Sequence, residues 1–145
     1  MLNILVIHGY VQTGDTVRYN TGRLQTELCH IAVLHYVDGP RMQDPSWGDS
    51  RPWWILKNGS HWLDPDHKNS RWDETAQVWL EHLSKHQYDG VNGLSQGSAL
   101  TPKQQQPIQF AILCPSQQHS HKKIYDVPLD LPTVHSDRVI SVDGI

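Results

Sequence analysis

Ser95 lies between two glycines in Gly93-Leu94-Ser95-Gln96-Gly97, inside the stretch YDGVNGLSQGSAL at residues 88–100. G-x-S-x-G is the pattern of a nucleophile elbow, a tight strand-to-helix turn on which small neighbours let a serine hydroxyl project above a sheet and attack a carbonyl carbon. At average glycine and serine frequencies it arises by chance in about one chain in twenty of this length. The elements around Ser95 therefore decide whether it is a nucleophile or an ordinary turn serine.

Those elements read as alternating strands and helices. NILVIHG, at residues 3–9, is a short continuous apolar run ending in glycine, as in a buried parallel strand. Val17, Thr21, Leu24 and Leu28 then recur at helical spacing, and IAVLHYVDGP supplies a second strand stopped by Gly39-Pro40. Ser70-Arg71-Trp72-Asp73 resembles a capping box opening a helix with Trp72, Ala76, Trp79, Leu80 and Leu83 on one face, ended by Asp89-Gly90. GVNGL forms a third strand running directly into Ser95, IQFAILC a fourth and DLPTVH a fifth. A β-loop-α-β opening argues for a parallel sheet with helical crossovers.

Composition bounds what such a fold can do. The chain has 145 residues, enough for a single domain, but only 37% are hydrophobic, which predicts a thin core. A formal charge of -3 and dispersed Lys and Arg leave no footprint for nucleic acid. No apolar run reaches membrane-spanning length, and MLNILVIHGY reads as a strand rather than a signal peptide. Cys29 and Cys114, far apart and in apolar settings, read as small core residues in a reducing compartment, which places the protein in the cytoplasm.

Residues 41–70 form a long irregular stretch, and all six tryptophans fall between Trp47 and Trp79. Two accounts stand: the rings patch a small core, or they form a substrate-facing wall. On the second, Trp53 and Trp54 border the cavity over Ser95 as an apolar acyl site.

Other constellations are weaker. Gly9 to Thr16 nearly matches a phosphate-binding P-loop, but Asp15 stands where the lysine belongs and would repel phosphate. His82 and His86 have metal-binding spacing, yet Leu83 replaces the glutamate of the zinc-hydrolase motif. His119-Ser120-His121 lacks a neighbouring Cys or carboxylate before Asp126. No cofactor and no metal are expected.

At the elbow, the residue after the nucleophile donates one oxyanion N–H, here Gln96. HGYVQ, directly after the first strand, supplies a second donor through Tyr10.

ILVIHGYVQTGDTVRYNTGRLQTEL, YVDGP, RPWW, YDGVNGLSQGSAL and IQFAILC together resemble successive blocks of the FSH group of family serine hydrolases. The likeness runs in order from residue 2 to about 114, with a fainter echo in LDLPTVHSDRVIS. It implies a reduced α/β-hydrolase fold, a mostly parallel sheet flanked by helices. It also implies esterase or thioesterase chemistry on small acyl substrates, with Ser95 as nucleophile and Tyr10 and Gln96 as oxyanion donors.

The departures are specific. Asn92 stands where the family has an apolar strand residue, and Pro102 follows closely on the elbow, where the family has a longer helix. His135-Ser136-Asp137 looks like the family's acid block with residues missing, which makes Asp137 the acid. The superfamily orders its triad Ser, acid, His. None of the eight residues after Asp137 is histidine, so His135 is the candidate base although the family gives it no such role. The expectation is one domain, residues 1–145, incomplete at its C-terminal end. The alternative to an active enzyme is an impaired or truncated relative that only binds an acyl ligand.

Overall fold

A computed structural model of the chain describes residues 1–55, 71–100, 108–114 and 139–141. Among these residues, five strands form one sheet: β1 (Leu2–Ile7), β2 (Ala32–Val37), β3 (Gly90–Leu94), β4 (Phe110–Cys114) and β5 (Val139–Ser141). Their order is β2-β1-β3-β4-β5, and every pairing is parallel. This is the sheet of a reduced α/β-hydrolase. The apolar run of β1 suits its interior place between β2 and β3, with Leu5 and Ile7 fully buried. The register sets Ile7 opposite Gly93, so the loops after β1 and β3 leave the sheet side by side.

One element differs from the sequence pattern and one expected strand lies beyond what is described. The fifth described strand is Val139–Ser141, whereas DLPTVH lies outside the described residues. The helical run from Val17 to Leu28 is two helices, α1 (Gly14–Asn20) and α2 (Gly22–Leu28). Thr21 breaks the run at φ -101° and ψ 15°; its hydroxyl donates back to the Val17 carbonyl at 2.7 Å and lies 2.6 Å from the Tyr36 hydroxyl. The amphipathic stripe consequently fails beyond Val17, and Leu24 is exposed.

The long helix α3 (Trp72–Lys85) starts at Arg71, which sits in the left-handed region at φ 64° without a side-chain cap. Ser70, the expected cap, lies outside the described residues. Thr75 and Trp79 are buried and Leu83 packs on the core, but Leu80 is half exposed, which narrows the apolar face to positions four apart. The helix stops before Asp89-Gly90 because the chain must already be extended there: the Asp89 amide donates to the Asn3 carbonyl at 2.8 Å.

The buried cluster comprises Leu5, Ile7, Val37, Trp53, Trp54, Trp79, Tyr88, Val91, Leu100 and Ile108. Among the described residues, three of its ten members are tryptophans, which supply the volume that a polar composition withholds. Cys29 is exposed at the end of α2, not in the core, because α2 buries no side chain; Cys114 is half-buried at the end of β4. Among the described residues, no helix is long and apolar enough to cross a membrane.

Candidate active site at the ends of β1 and β3

Ser95 joins β3 to α4 (Gln96–Ala99) with φ 50° and ψ -115°. Among the described residues only Ser95 and Arg71 combine a side chain with positive φ. Such a backbone costs about 1–3 kcal/mol and persists only where its surroundings enforce it. The Ser95 amide extends the ladder by donating to the Cys114 carbonyl at 2.8 Å, and its carbonyl accepts from the Ser98 amide at 2.9 Å. The buried Ser98 hydroxyl donates to the Gly93 carbonyl at 2.6 Å.

The flanking glycines are required by space. A Cβ on Gly93 would lie 2.7 Å from the Ser98 Cα, and one on Gly97 would lie 2.4 Å from the Ile7 carbonyl oxygen. Gly9 completes the approach, since a Cβ there would sit 3.4 Å from that of Ser95. The loop after β1 therefore lies directly against the serine.

That loop is held by its own hydrogen bonds. The Gly9 amide donates to Gln12 Oε1 at 2.9 Å, the Gln12 amide returns to the Gly9 carbonyl at 3.3 Å, and the Gly14 amide donates to Asp38 Oδ1 at 2.8 Å. Tyr10, half-buried, meets Trp47 edge to face at 6.2 Å. Among the described residues, no protein acceptor takes the amide of Tyr10 or of Gln96.

His8 is fully buried at the root of the loop. Its Nε2 accepts from the Gly39 amide at 3.1 Å, so its Nδ1 carries the proton and donates to the Gly9 carbonyl at 2.7 Å. Burial pushes its pKa down, opposed by the Gly9 contact, and the ring stays neutral. With both nitrogens engaged, His8 is a structural tie rather than a base.

Trp53 connects this tie to the elbow. Its ring stacks on His8 at 4.8 Å, and its indole N–H donates to the His8 carbonyl at 3.0 Å. Its backbone amide donates to Gln96 Oε1 at 3.0 Å, while Gln96 Nε2 donates to the Trp54 carbonyl at 3.0 Å. The Thr75 hydroxyl donates to the Trp53 carbonyl.

The fold thus brings Ser95, Tyr10 and Gln96 to adjacent strand ends. It brings the Trp53-Trp54 backbone there too, but both rings are buried, at 0% and 2% exposure, within the core cluster. Asp137, His135, His119 and His121 lie outside the described residues. Sequence reasoning missed the tying roles of His8, Gln12, Asp38 and the Gln96 side chain. HGYVQ held the signal for one of them, Gln12, since a glutamine three residues after a turn glycine can bond back to its amide. Asn92 Oδ1 is buried in β3 with no partner among the described residues, as its place in an apolar strand implies.

A model of the serine hydrolase (FSH1) family matches residues 1–137. The chain is 29% identical to Esterase OVCA2 of Xenopus tropicalis over 174 residues, covering 97% of this chain and 75% of that protein. It is also 27% identical to a dihydrofolate reductase of Schizosaccharomyces pombe over 113 residues, covering 68% of this chain but only 24% of that protein. The 174 positions matched in the esterase exceed the 145 residues of this chain, so the chain lacks internal stretches that the esterase has.

Proposed function

The chain belongs to the serine hydrolase (FSH1) family, and from that premise we propose that Ser95 is the nucleophile of an esterase or thioesterase acting on small acyl substrates. The Ser95 oxygen attacks the carbonyl carbon and gives its proton to a base. The C–O or C–S bond then breaks as the leaving group takes a proton, and water releases the acyl group from the serine. The amides of Tyr10 and Gln96 stabilise the tetrahedral oxyanion, and His135 with Asp137 supply base and acid. Two free thiols, Cys29 and Cys114, accord with work in the cytoplasm.

One observation carries this reading. Ser95 holds a backbone conformation that ordinary serines avoid, on a turn whose neighbours at 93 and 97 leave no room for a side chain. An incidental turn serine has no need of that arrangement.

A second reading is a catalytically impaired relative that only binds an acyl ligand. It is favoured by the unpaired Asn92 Oδ1 in the strand feeding the elbow, and by the internal stretches that the esterase has and this chain lacks.

Fluorophosphonate labelling and p-nitrophenyl ester turnover, with Ser95→Ala as control, separate the two. Labelling that disappears in Ser95→Ala supports the nucleophile. A folded chain that resists labelling favours the binding relative, and labelling that survives in Ser95→Ala excludes Ser95. If turnover is present, its loss in His135→Ala identifies the base.

A further inference from the structure

We infer that the side chain of Gln96 is a positioning residue, which aims its own backbone amide at the oxyanion by anchoring it to the Trp53-Trp54 segment. The inference rests on the reading of Ser95 as nucleophile and adds the group that holds one of its donors in place.

α4 is a single turn of four residues, too short for its own hydrogen bonds to fix the direction of its first amide. Gln96 is that first residue, and its side chain is fully buried. Its amide group meets two backbone partners at once, accepting from Trp53 N–H and donating to Trp54 C=O, each at 3.0 Å. Those partners fix which end is oxygen and which is nitrogen, because an N–H needs an acceptor and a carbonyl needs a donor.

The anchor itself is rigid. Trp53 is held through its indole N–H on His8, its ring stacked on His8, and its carbonyl bonded by Thr75. His8 in turn ties Gly9, at the start of the loop that carries Tyr10, to Gly39. One connected set of bonds therefore spans both oxyanion loops. Donors must sit within a few tenths of an ångström of their working positions to be effective, so releasing the Gln96 side chain would loosen its amide while leaving Ser95 in place.

Gln96→Glu and Gln96→Leu test this, compared with wild type from pH 5 to 9 by fluorophosphonate labelling rate and by kcat and KM for a p-nitrophenyl ester. A neutral carboxylic acid has one acceptor and one O–H donor and satisfies both partners. An ionised carboxylate only accepts, and would face the Trp54 carbonyl. Burial favours the neutral acid, so the Gln96→Glu to wild-type ratio is expected to stay near one at low pH and fall about tenfold or more as pH rises. Gln96→Leu is expected to lose about ten- to a hundredfold in kcat at every pH, with KM little changed.

A merely structural role would lower the yield or melting temperature of the variants without a pH-dependent ratio. Folded variants that label at the wild-type rate across the range would overturn the inference. A folded wild type that does not label would overturn the reading of Ser95, and Gln96 with it. If Gln96→Leu fails to fold, the two ends of the Gln96→Glu profile still decide.

Discussion

A Cβ placed on Gly97 would come within 2.4 Å of the Ile7 carbonyl oxygen, so the turn after Ser95 rests on the end of β1 without a gap. Gly97→Ala must displace backbone rather than a flexible side chain. We expect it to destabilise the fold by about 1–3 kcal/mol and to abolish Ser95 labelling. Gly22→Ala, where nothing lies within 4 Å of the new methyl, is the control and should be neutral or slightly stabilising. Urea midpoints measure the difference; equal midpoints for the two variants would contradict the close contact.

Ser95 stores strain that glycine would release. Ser95→Gly and Ser95→Ala remove the same hydroxyl, but only glycine adopts φ 50° freely. Both should lose labelling, with Ser95→Gly the more stable by about 1 kcal/mol. Thermal or urea unfolding of the pair reads this, and an alanine variant as stable as the glycine one would remove the strain from the account.

Asn92 pairs with Val6 on one side and Ile112 on the other, in a strand whose neighbours are buried. Its Oδ1, without a partner among the described residues, costs about 1–3 kcal/mol, and Asn92→Val removes the polar group while suiting a strand. A raised urea midpoint is expected. A lowered midpoint would mean that the amide has a partner that the valine abandons.

Among the described residues, three histidines are held toward their neutral forms, chiefly by burial: His8, His35 and His82. His86 also presses on His35 and His82 by like charge, in a cluster around Tyr88, whose hydroxyl lies 2.5 Å from His82 Nε2. His35 Nε2 is 2.9 Å from Asn3 Oδ1, and Asp89 accepts from the Asn3 amide nearby. Each folded pKa lies below the ordinary value of 6.5, so the unfolded chain binds protons first as pH falls. Stability contributed by these groups is full above 6.5 and declines below it. Urea midpoints should be lower at pH 5.5 than at pH 7.5, and no change would refute the sign.

The sheet was legible because four of its strands are short, largely apolar runs with glycine or proline at their ends, and the G-x-S-x-G pattern overlaps the end of one of them. Helix limits were less legible. Thr21 diverts its hydroxyl to Val17 and Tyr36, and the end of α3 is decided by the pairing of Asp89 with Asn3, neither of which leaves a periodic trace. The tryptophans were ambiguous because ring content does not reveal burial; Trp53 and Trp54 lie beside the elbow through Gln96 yet inside the core. The side-chain ties of His8 and Gln96 span 31 and 43 residues, a distance at which single-sequence patterns are silent.

The strand order has a consequence for where any ligand meets this chain. From β1 the chain steps outward to β2, then crosses back over β1 to lay down β3 on the opposite side. In open parallel sheets such a reversal of winding parts the two loops above the strand ends and leaves a crevice between them. The reversal here falls between β1 and β3, between the loop of Gly9 and the turn of Ser95. The winding thus puts the proposed site of Ser95 beside that crevice, and the side chains around it would determine what chemistry is carried out there.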